Sequence, residues 1–238
     1  MKKTLAVICG LLLAGSLALP VGAEQITAQT TVDEEMAAND FTVGNIVTFG
    51  AYEQDNDLDN GEEPIEWIVL EVDGGRVLLI SRYCLDAQPY NTYLKKITWG
   101  RCSLHRWLNY NFLREAFIVE ERDLIATTEV INDDSTYYDS YGGKDTEDQV
   151  FLFSYDEALQ YFPTEEDRQA LPTAYAIANG AYVDEDTGYT WWWLRSPGVD
   201  NTNACGVRSD GRISGYGSRD VNRTSGAIRP VIWLNIGE

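Results

Sequence analysis

The last quarter of the chain concentrates side chains that are suited to recognising a ligand. Between Pro197 and Ile228 the sequence consists mostly of turn-forming residues, and four of its residues are arginines. Arginine offers a planar fork of donors for carboxylates and phosphates, and asparagine and tyrosine on turns supply adaptable polar contacts. We therefore predict a ligand-binding surface with these candidate residues: Asn201, Asn203, Arg208, Arg212, Tyr216, Arg219, Asn222 and Arg223. The alternative is surface display of these side chains without a specific ligand.

Cysteine and histidine, which often do covalent or metal chemistry, are scarce. Beyond Cys9 the cysteines stand far apart and form no CxxC motif: Cys84, Cys102 and Cys205. His105 is the only histidine, which excludes a site built from several histidines, and no GxSxG motif marks a serine nucleophile. We predict no catalytic residue, no metal site and no cofactor, and we interpret His105 as a helix-surface residue. The cysteines could form one disulfide or could all be small buried residues.

An acidic segment has a spacing close to that of a calcium-binding loop. Asp55, Asp57 and Asp59 alternate, and Glu66 follows Asp55 by eleven residues. However, Asn60 stands where such loops have glycine, and no helices are predicted on either side. We predict a solvated hairpin loop and keep calcium binding as the alternative.

These side chains need a scaffold, and the apolar pattern predicts strands near both ends of the chain. Strands are predicted at residues 41–49, 65–72, 76–81, 190–195, 204–207, 212–214 and 228–234. Asp73-Gly74-Gly75 and Asp210-Gly211 are typical of hairpin turns. Pro230 cannot donate to a ladder, so we expect the last strand to be an edge strand or bulged there.

The middle of the chain has helical spacing. Residues 103–117 place apolar side chains on one face, and Ser154 and Glu157 form a capping-box pattern before a further helix. Short helical segments are also predicted between residues 164 and 179. Strands, then helices, then strands indicate an α+β fold with antiparallel strands at both ends and a helical middle.

Three successive tryptophans occupy the strand at residues 190–195. Because side chains alternate along a strand, Trp191 and Trp193 should share one face and Trp192 should take the other. Large aromatic residues dominate cores, so we predict that all three are buried. Arg195 and Arg229 lie among apolar strand residues, and we interpret them as structural residues that could pair with carboxylates.

The net charge of −20 is distributed unevenly along the 238 residues. Residues 119–188 hold 18 acidic and three basic side chains, whereas residues 189–238 hold six arginines and four acidic side chains. A polyanion is repelled by nucleic acids and anionic membranes, so neither is expected as the main partner. The distribution predicts an acidic body that carries an arginine and aromatic face.

The N-terminus has the pattern of an export signal. Lys2 and Lys3 precede an apolar run that Pro20 ends, and small residues follow up to Ala23. We predict a signal peptide over residues 1–23, a flexible acidic leader over 24–40 and a single domain over 41–238. The mature chain is expected to be secreted or attached to the surface of a bacterial cell, without a membrane span.

Several segments resemble one family of exported bacterial proteins, the domain-of-unknown-function family 6273. The resemblance covers about residues 41–236 and is carried by EPIEWIVL, RCSLHRWLNYNF, FLFSYDEALQYF and WWWLRSPG…VRSDGRISGYG…GAIRPVIWL. The WWxLRSPG and RPxxWL segments are also similar to the end of the C-type-lectin-like fold, which formylglycine-generating enzymes share. This likeness implies a C-type-lectin-like α+β fold whose C-terminal turns often form the ligand face.

Two classes of function remain open at this point, with a third beside them. The first is a non-catalytic module that binds an extracellular ligand: a glycan, a cell-wall component or a protein. The second is an oxidase related to formylglycine-generating enzymes, which would act through Cys205, although those enzymes use paired cysteines and Cys205 stands alone in this half of the chain. The third is a purely structural surface domain.

Overall fold

The computed structural model describes residues 32–34, 36–214 and 219–237. The predicted signal peptide, residues 24–31 of the predicted leader, and Tyr216 lie outside these ranges. The end of the leader contacts the domain, since Val32 is buried and Asn39 forms two hydrogen bonds with the backbone of Thr48, at 2.8 and 3.0 Å. The flexible leader stays a prediction, and the described part of it contacts the first strand through Asn39.

The described residues form twelve strands and six short α-helices that have assigned bounds. The strands are β1 (Ile46–Tyr52), β2 (Glu63–Asp73), β3 (Arg76–Ser81), β4 (Asp86–Ala87), β5 (Thr128–Val130), β6 (Thr146–Asp148), β7 (Val150–Phe151), β8 (Trp192–Pro197), β9 (Asn203–Val207), β10 (Arg219–Asp220), β11 (Ala227–Ile228) and β12 (Val231–Asn235). The helices are α1 (Ser103–Trp107), α2 (Leu113–Glu115), α3 (Val119–Leu124), α4 (Tyr155–Tyr161), α5 (Glu165–Arg168) and α6 (Ala174–Ala178). Antiparallel strands at both ends with helices between them confirm a mixed α and β fold.

The first sheet has the strand order β1-β2-β3-β12-β7 and is antiparallel throughout. The turn between β2 and β3 follows the prediction, because Gly74 and Gly75 both have positive φ, 55° and 81°. Two positive φ angles are the requirement of the type I′ turn that suits a twisted hairpin.

The prediction of one last strand at an edge is wrong, whereas the alternative of an irregularity at Pro230 agrees with the structure. The segment divides at Arg229 and Pro230 into β11, which pairs in the second sheet, and β12, which lies between β3 and β7 in the first. Pro230 has no N–H to donate, and it stands where the chain passes from one sheet to the other. Its carbonyl oxygen still accepts a hydrogen bond from the Ser81 N–H at 3.0 Å.

The second sheet has the order β10-β9-β8-β11-β4 and carries the three tryptophans at its centre. Trp191 and Trp193 lie edge to face with ring centroids 4.7 Å apart, and Trp192 instead donates from Nε1 to the carbonyl oxygen of Arg168 at 3.1 Å. All three are buried, as predicted. The third sheet consists only of β5 and β6.

The predicted helix over residues 103–117 is present but not uniform. A 3-10 turn (Trp99–Arg101) precedes α1, and a π-helical turn (Leu108–Phe112) joins α1 to α2. The cap is Cys102, whose Sγ accepts the backbone N–H of His105, while the Ser103 hydroxyl accepts the N–H of Thr92.

One hydrophobic core runs between the first two sheets. Trp67 of β2 is fully buried in this core. The ring of Tyr90 contacts those of Trp99 and Trp193, at centroid distances of 6.1 and 5.7 Å. Within the described ranges we find no helix with the length and apolar character that crossing a membrane requires.

The two core arginines behave differently from each other. Arg195 pairs with Glu157, as predicted, and also donates to the carbonyl oxygens of Leu152 and Ile131 at 2.8 and 2.9 Å. Arg229 has no ion pair with any described residue, so it lacks the carboxylate pairing that the sequence suggested. It donates to the Ser81 carbonyl oxygen and lies over the Trp192 ring. Because the Arg229 guanidinium is buried, its pKa is lowered to about 10.

Candidate functional site

The second sheet places several of the predicted residues around one opening. Strands β9 and β10 pair antiparallel with Arg219 opposite Ala204, and Arg208 directly follows β9. The turns between β10 and β11 carry Arg223, and Trp191 directly precedes β8. Three chain segments thus bring three arginines and a tryptophan to the same edge of the sheet.

These side chains surround a cavity of about 440 Å³, which we call the arginine pocket. Its lining is Tyr182, Trp191, Arg208, Ser209, Ser214, Arg219, Arg223 and Ser225. The volume falls within the range of about 300–1,000 Å³ that is typical of small-ligand sites.

Arg219 is the central side chain of this pocket. Its guanidinium carbon lies 3.7 Å from the centroid of the Trp191 ring, a close cation–π contact. Its Nε is shielded from solvent and has no hydrogen-bond partner among the described residues. Burial, followed by the nearby charges of Arg223 and Arg208, lowers the pKa of Arg219 to about 10. A desolvated cation beside two further cations is an arrangement that an anion would stabilise.

Two glycines make the close packing under the pocket possible. A Cβ on Gly226 would lie 2.1 Å from Nε1 of Trp193, and a Cβ on Gly206 would lie 2.8 Å from the Trp192 carbonyl oxygen. A Cβ on Gly226 would also lie 2.6 Å from the Trp191 ring, so a larger residue there would displace the ring over which Arg219 lies.

The structure distributes the predicted binding residues between the pocket and other places. Arg208, Arg219 and Arg223 line the pocket, whereas Arg212 is exposed outside the lining and pairs with Asp210 through its Nε at 2.9 Å. Asn222 is also exposed outside the lining.

The other two predicted asparagines, Asn201 and Asn203, form hydrogen bonds with neighbouring segments. Asn201 donates to the Tyr141 carbonyl oxygen at 2.7 Å, and Asn203 donates to the Asp220 carboxylate at 2.9 Å. The sequence pointed to the turn that carries Ser225, but it did not indicate Tyr182, and it predicted only a core position for Trp191. No local signal marks Tyr182 or Trp191 as pocket residues, because only the folded sheet brings them beside Arg219.

The surroundings of Cys205 do not favour nucleophilic chemistry. Its thiol is buried, donates to the Pro197 carbonyl oxygen at 3.2 Å and lines a cavity of only about 30 Å³. Burial raises the pKa of this thiol to about 12, so it stays protonated near neutral pH. Cys84 and Cys102 are likewise buried and free, with pKa values raised to about 12, and the described residues contain no disulfide.

His105 has a structural partner, so the interpretation as a helix-surface residue is incomplete. Its Nε2 lies 2.6 Å from Oδ1 of the buried Asp148, whose Oδ2 accepts hydrogen bonds from Trp99 Nε1 and Thr146 Oγ1, both at 2.9 Å. The pair therefore connects α1 to β6 and to the core.

The acidic hairpin loop differs from a calcium loop. Glu66 turns away to pair with Arg82 at 2.7 Å, which removes the ligand at the end of the expected spacing. Glu53, Asp55 and Glu63 do bring carboxylate oxygens within 4.8 Å of one another. Each of these carboxylates also accepts a backbone N–H group, from Asn56, Asp57 and Gln54 at 2.6 to 2.8 Å, which gives the loop its conformation.

Comparison with known proteins gives one match. A family model with the description "Domain of unknown function (DUF6273)" matches residues 74–236. No curated protein and no solved structure matches the chain at a significant level. The matched region includes β3 to β12 and every described residue of the arginine pocket. Since the match covers well over half of the sequence, the chain belongs to the DUF6273 family.

Proposed function

We propose that this protein is a non-catalytic module that binds an extracellular ligand, and that the ligand occupies the arginine pocket. The observation that carries the proposal is the open cavity over Arg219, a stacked and desolvated cation whose Nε has no partner among the described residues. A desolvated guanidinium without a hydrogen-bond partner destabilises the empty protein, and a ligand that binds there can offset this cost.

Secretion and the C-type-lectin-like fold are parts of the same proposal. The N-terminal pattern supports export, and the three adjoining tryptophans and the closing Arg229-Pro230 segment support the fold. In that fold the C-terminal turns often form the ligand face, and the arginine pocket is made largely from such turns.

The alternative of an oxidase that acts through Cys205 receives less support. A thiol with a pKa of about 12 supplies very little thiolate near neutral pH, and the cavity beside it has room for about one water molecule. A structural surface domain is the outcome to accept if no ligand binds.

A binding screen with matched variants tests the proposal. Purified protein is applied to glycans, bacterial cell-wall fractions and secreted proteins, and each hit is repeated with Arg219→Gln and with Arg106→Gln. Arg106 is an exposed arginine of α1 outside the pocket, so Arg106→Gln removes the same charge elsewhere. We expect Arg219→Gln to weaken binding by about tenfold or more and Arg106→Gln to leave it unchanged.

Two results would contradict the proposal. One is a set of hits whose affinities are the same for Arg219→Gln and the parent protein. The other is the absence of any hit together with unchanged thermal stability in the presence of every fraction.

A further inference from the structure

The arginine pocket has more positive charge than its own carboxylates balance. Within the described ranges neither Arg219 nor Arg223 has an ion-pair partner. Asp210, the acidic neighbour, is already shared by Arg208 at 3.3 Å and Arg212 at 2.5 Å. Asp184 approaches the lining through Ser209 but also accepts the Thr187 hydroxyl at 2.8 Å.

The rim of the pocket offers a surface for a ring. Tyr182 is 45% exposed, whereas Trp191 is only 3% exposed, with Arg219 over its ring and Trp193 packed edge to face against it. Trp191 therefore positions the guanidinium, and Tyr182 is the aromatic face that a ligand can reach. Ser225, whose carbonyl oxygen accepts the Tyr182 N–H at 3.2 Å, belongs to the same wall. An exposed aromatic face with serine residues beside it suits a hydroxylated ring.

The charge of the whole chain limits how much negative charge the ligand can carry. The protein has a net charge of −20, which repels a polyanion at long range. At physiological salt the screening length is about 8 Å, so a single anion inside the pocket interacts mainly with the nearby arginines.

We infer that the ligand of the arginine pocket is an acidic saccharide, in which one oxyanion lies against Arg219 and Arg223 and the sugar ring packs on Tyr182. The inference rests on the proposed function and adds the chemical class of the ligand. A carboxylate, a sulfate ester and a phosphate monoester share the chemistry that an arginine fork recognises.

Matched pairs of saccharides test the charge requirement. Titration calorimetry compares monomeric galacturonate with its methyl ester, N-acetylglucosamine 6-sulfate with N-acetylglucosamine, and glucose 6-phosphate with glucose. We expect at least one charged member to bind about tenfold more tightly than its uncharged partner. The pair with the largest ratio identifies the oxyanion.

Variants locate the effect. Arg219→Gln and Arg223→Gln should bring that ratio close to one, Tyr182→Ala should weaken both members of the pair, and Arg106→Gln should change neither. Arg219→Lys keeps the charge without the planar fork and should retain part of the ratio. Thermal unfolding of each variant verifies that it is folded.

Several outcomes would overturn the inference. Ratios near one for all pairs, or a ratio that survives both Arg219→Gln and Arg223→Gln, would do so. Inorganic sulfate that binds as tightly as the best saccharide would remove the role of the ring. If an uncharged saccharide or a protein binds and Arg219→Gln abolishes it, the proposed function stands and only the acidic class is wrong.

Discussion

The partly buried guanidinium of Arg219 costs free energy of desolvation, although it lies in a well-packed region. Its stacking on Trp191 at 3.7 Å compensates part of its desolvation, but its Nε has no described partner. Arg195 lies in a strand of the same sheet and has a carboxylate and two carbonyl oxygens around it. Arg229 also has a buried nitrogen without a described partner, but it lies in the core, whereas Arg219 lines the open arginine pocket.

Cysteine reactivity is a first test at the residue scale. The folded protein should not react with a thiol reagent at about pH 8, because burial raises the pKa of all three described thiols. In denaturant Cys84, Cys102 and Cys205 should all react, which absorbance of the released reagent measures. Rapid labelling of Cys205 in the folded protein would contradict this and would revive the oxidase alternative.

Gly226 gives a second test. The change Gly226→Ala would place a methyl group 2.1 Å from Trp193 Nε1, so we expect a loss of about 1–3 kcal/mol in the free energy of unfolding. Urea unfolding measures it, and Ser225→Ala serves as the neighbouring control with little expected change. Equal stabilities of Gly226→Ala and the parent protein would show that the tryptophans have room to move.

At the scale of elements, Glu157 joins helix α4 to strand β8. Its carboxylate accepts the Ser154 N–H at 2.8 Å, which completes the predicted capping box, and also binds Arg195 with an Oε1–Nη2 distance of 2.9 Å. A local motif in the sequence thus also serves a long-range contact that the sequence does not reveal.

Neutralising this carboxylate should release the helix from the strand. We expect Glu157→Gln to reduce the free energy of unfolding by about 1–3 kcal/mol, because Arg195 is buried and would lose its counter-ion. Asp156→Asn, on the exposed neighbour, should change it by less than about 0.5 kcal/mol. Urea unfolding compares the two variants, and similar small effects for both would contradict the role of Glu157.

Asp86 in β4 connects β1 and α6, and its burial has a consequence for pH. It accepts hydrogen bonds from Tyr52 at 2.8 Å and Asn179 at 2.9 Å, but burial raises its pKa above the usual 3.8. The folded state then holds the proton more tightly than the unfolded state. This group therefore lowers stability as pH rises from about 3.8 through its folded pKa.

The variant Asp86→Asn isolates that contribution. Relative to the parent protein, its free energy of unfolding should fall less as pH increases across this interval. Chemical unfolding at a series of pH values gives the two profiles. Parallel profiles would mean that Asp86 titrates alike in the folded and unfolded states.

Features that depend on contacts between residues close in sequence could be predicted, and features that depend on distant contacts could not. Strands β2 and β3, their glycine turn and the capping box at Ser154 depend on neighbouring residues, so they were predictable. The passage between sheets at Pro230 and the attachment of Asn39 to Thr48 depend on distant partners. The candidate site was predictable only as a list of turn residues, since the stacking of Arg219 on Trp191 requires the complete sheet.

At the scale of the whole molecule, charge and architecture give the pocket its context. The chain carries −20 overall, while Arg208, Arg219 and Arg223 converge on one cavity. The predicted arginine and aromatic face contains one acidic neighbour, because Asp210 pairs with Arg208 and Arg212 at its border. Among the described residues Arg219 and Arg223 have no such partner, and they are the part of the pocket at which we propose that the ligand binds.

The indole N–H spectrum of tryptophan-labelled protein tests the central claim most directly. With a ligand from the binding screen, the resonance of Trp191 should shift, because Trp191 supports Arg219 in the pocket. The resonance of Trp67 should stay in place, because its indole donates to the Phe49 carbonyl oxygen in the other sheet. A bound ligand that leaves the Trp191 resonance unmoved would contradict the assignment of the arginine pocket as the binding site.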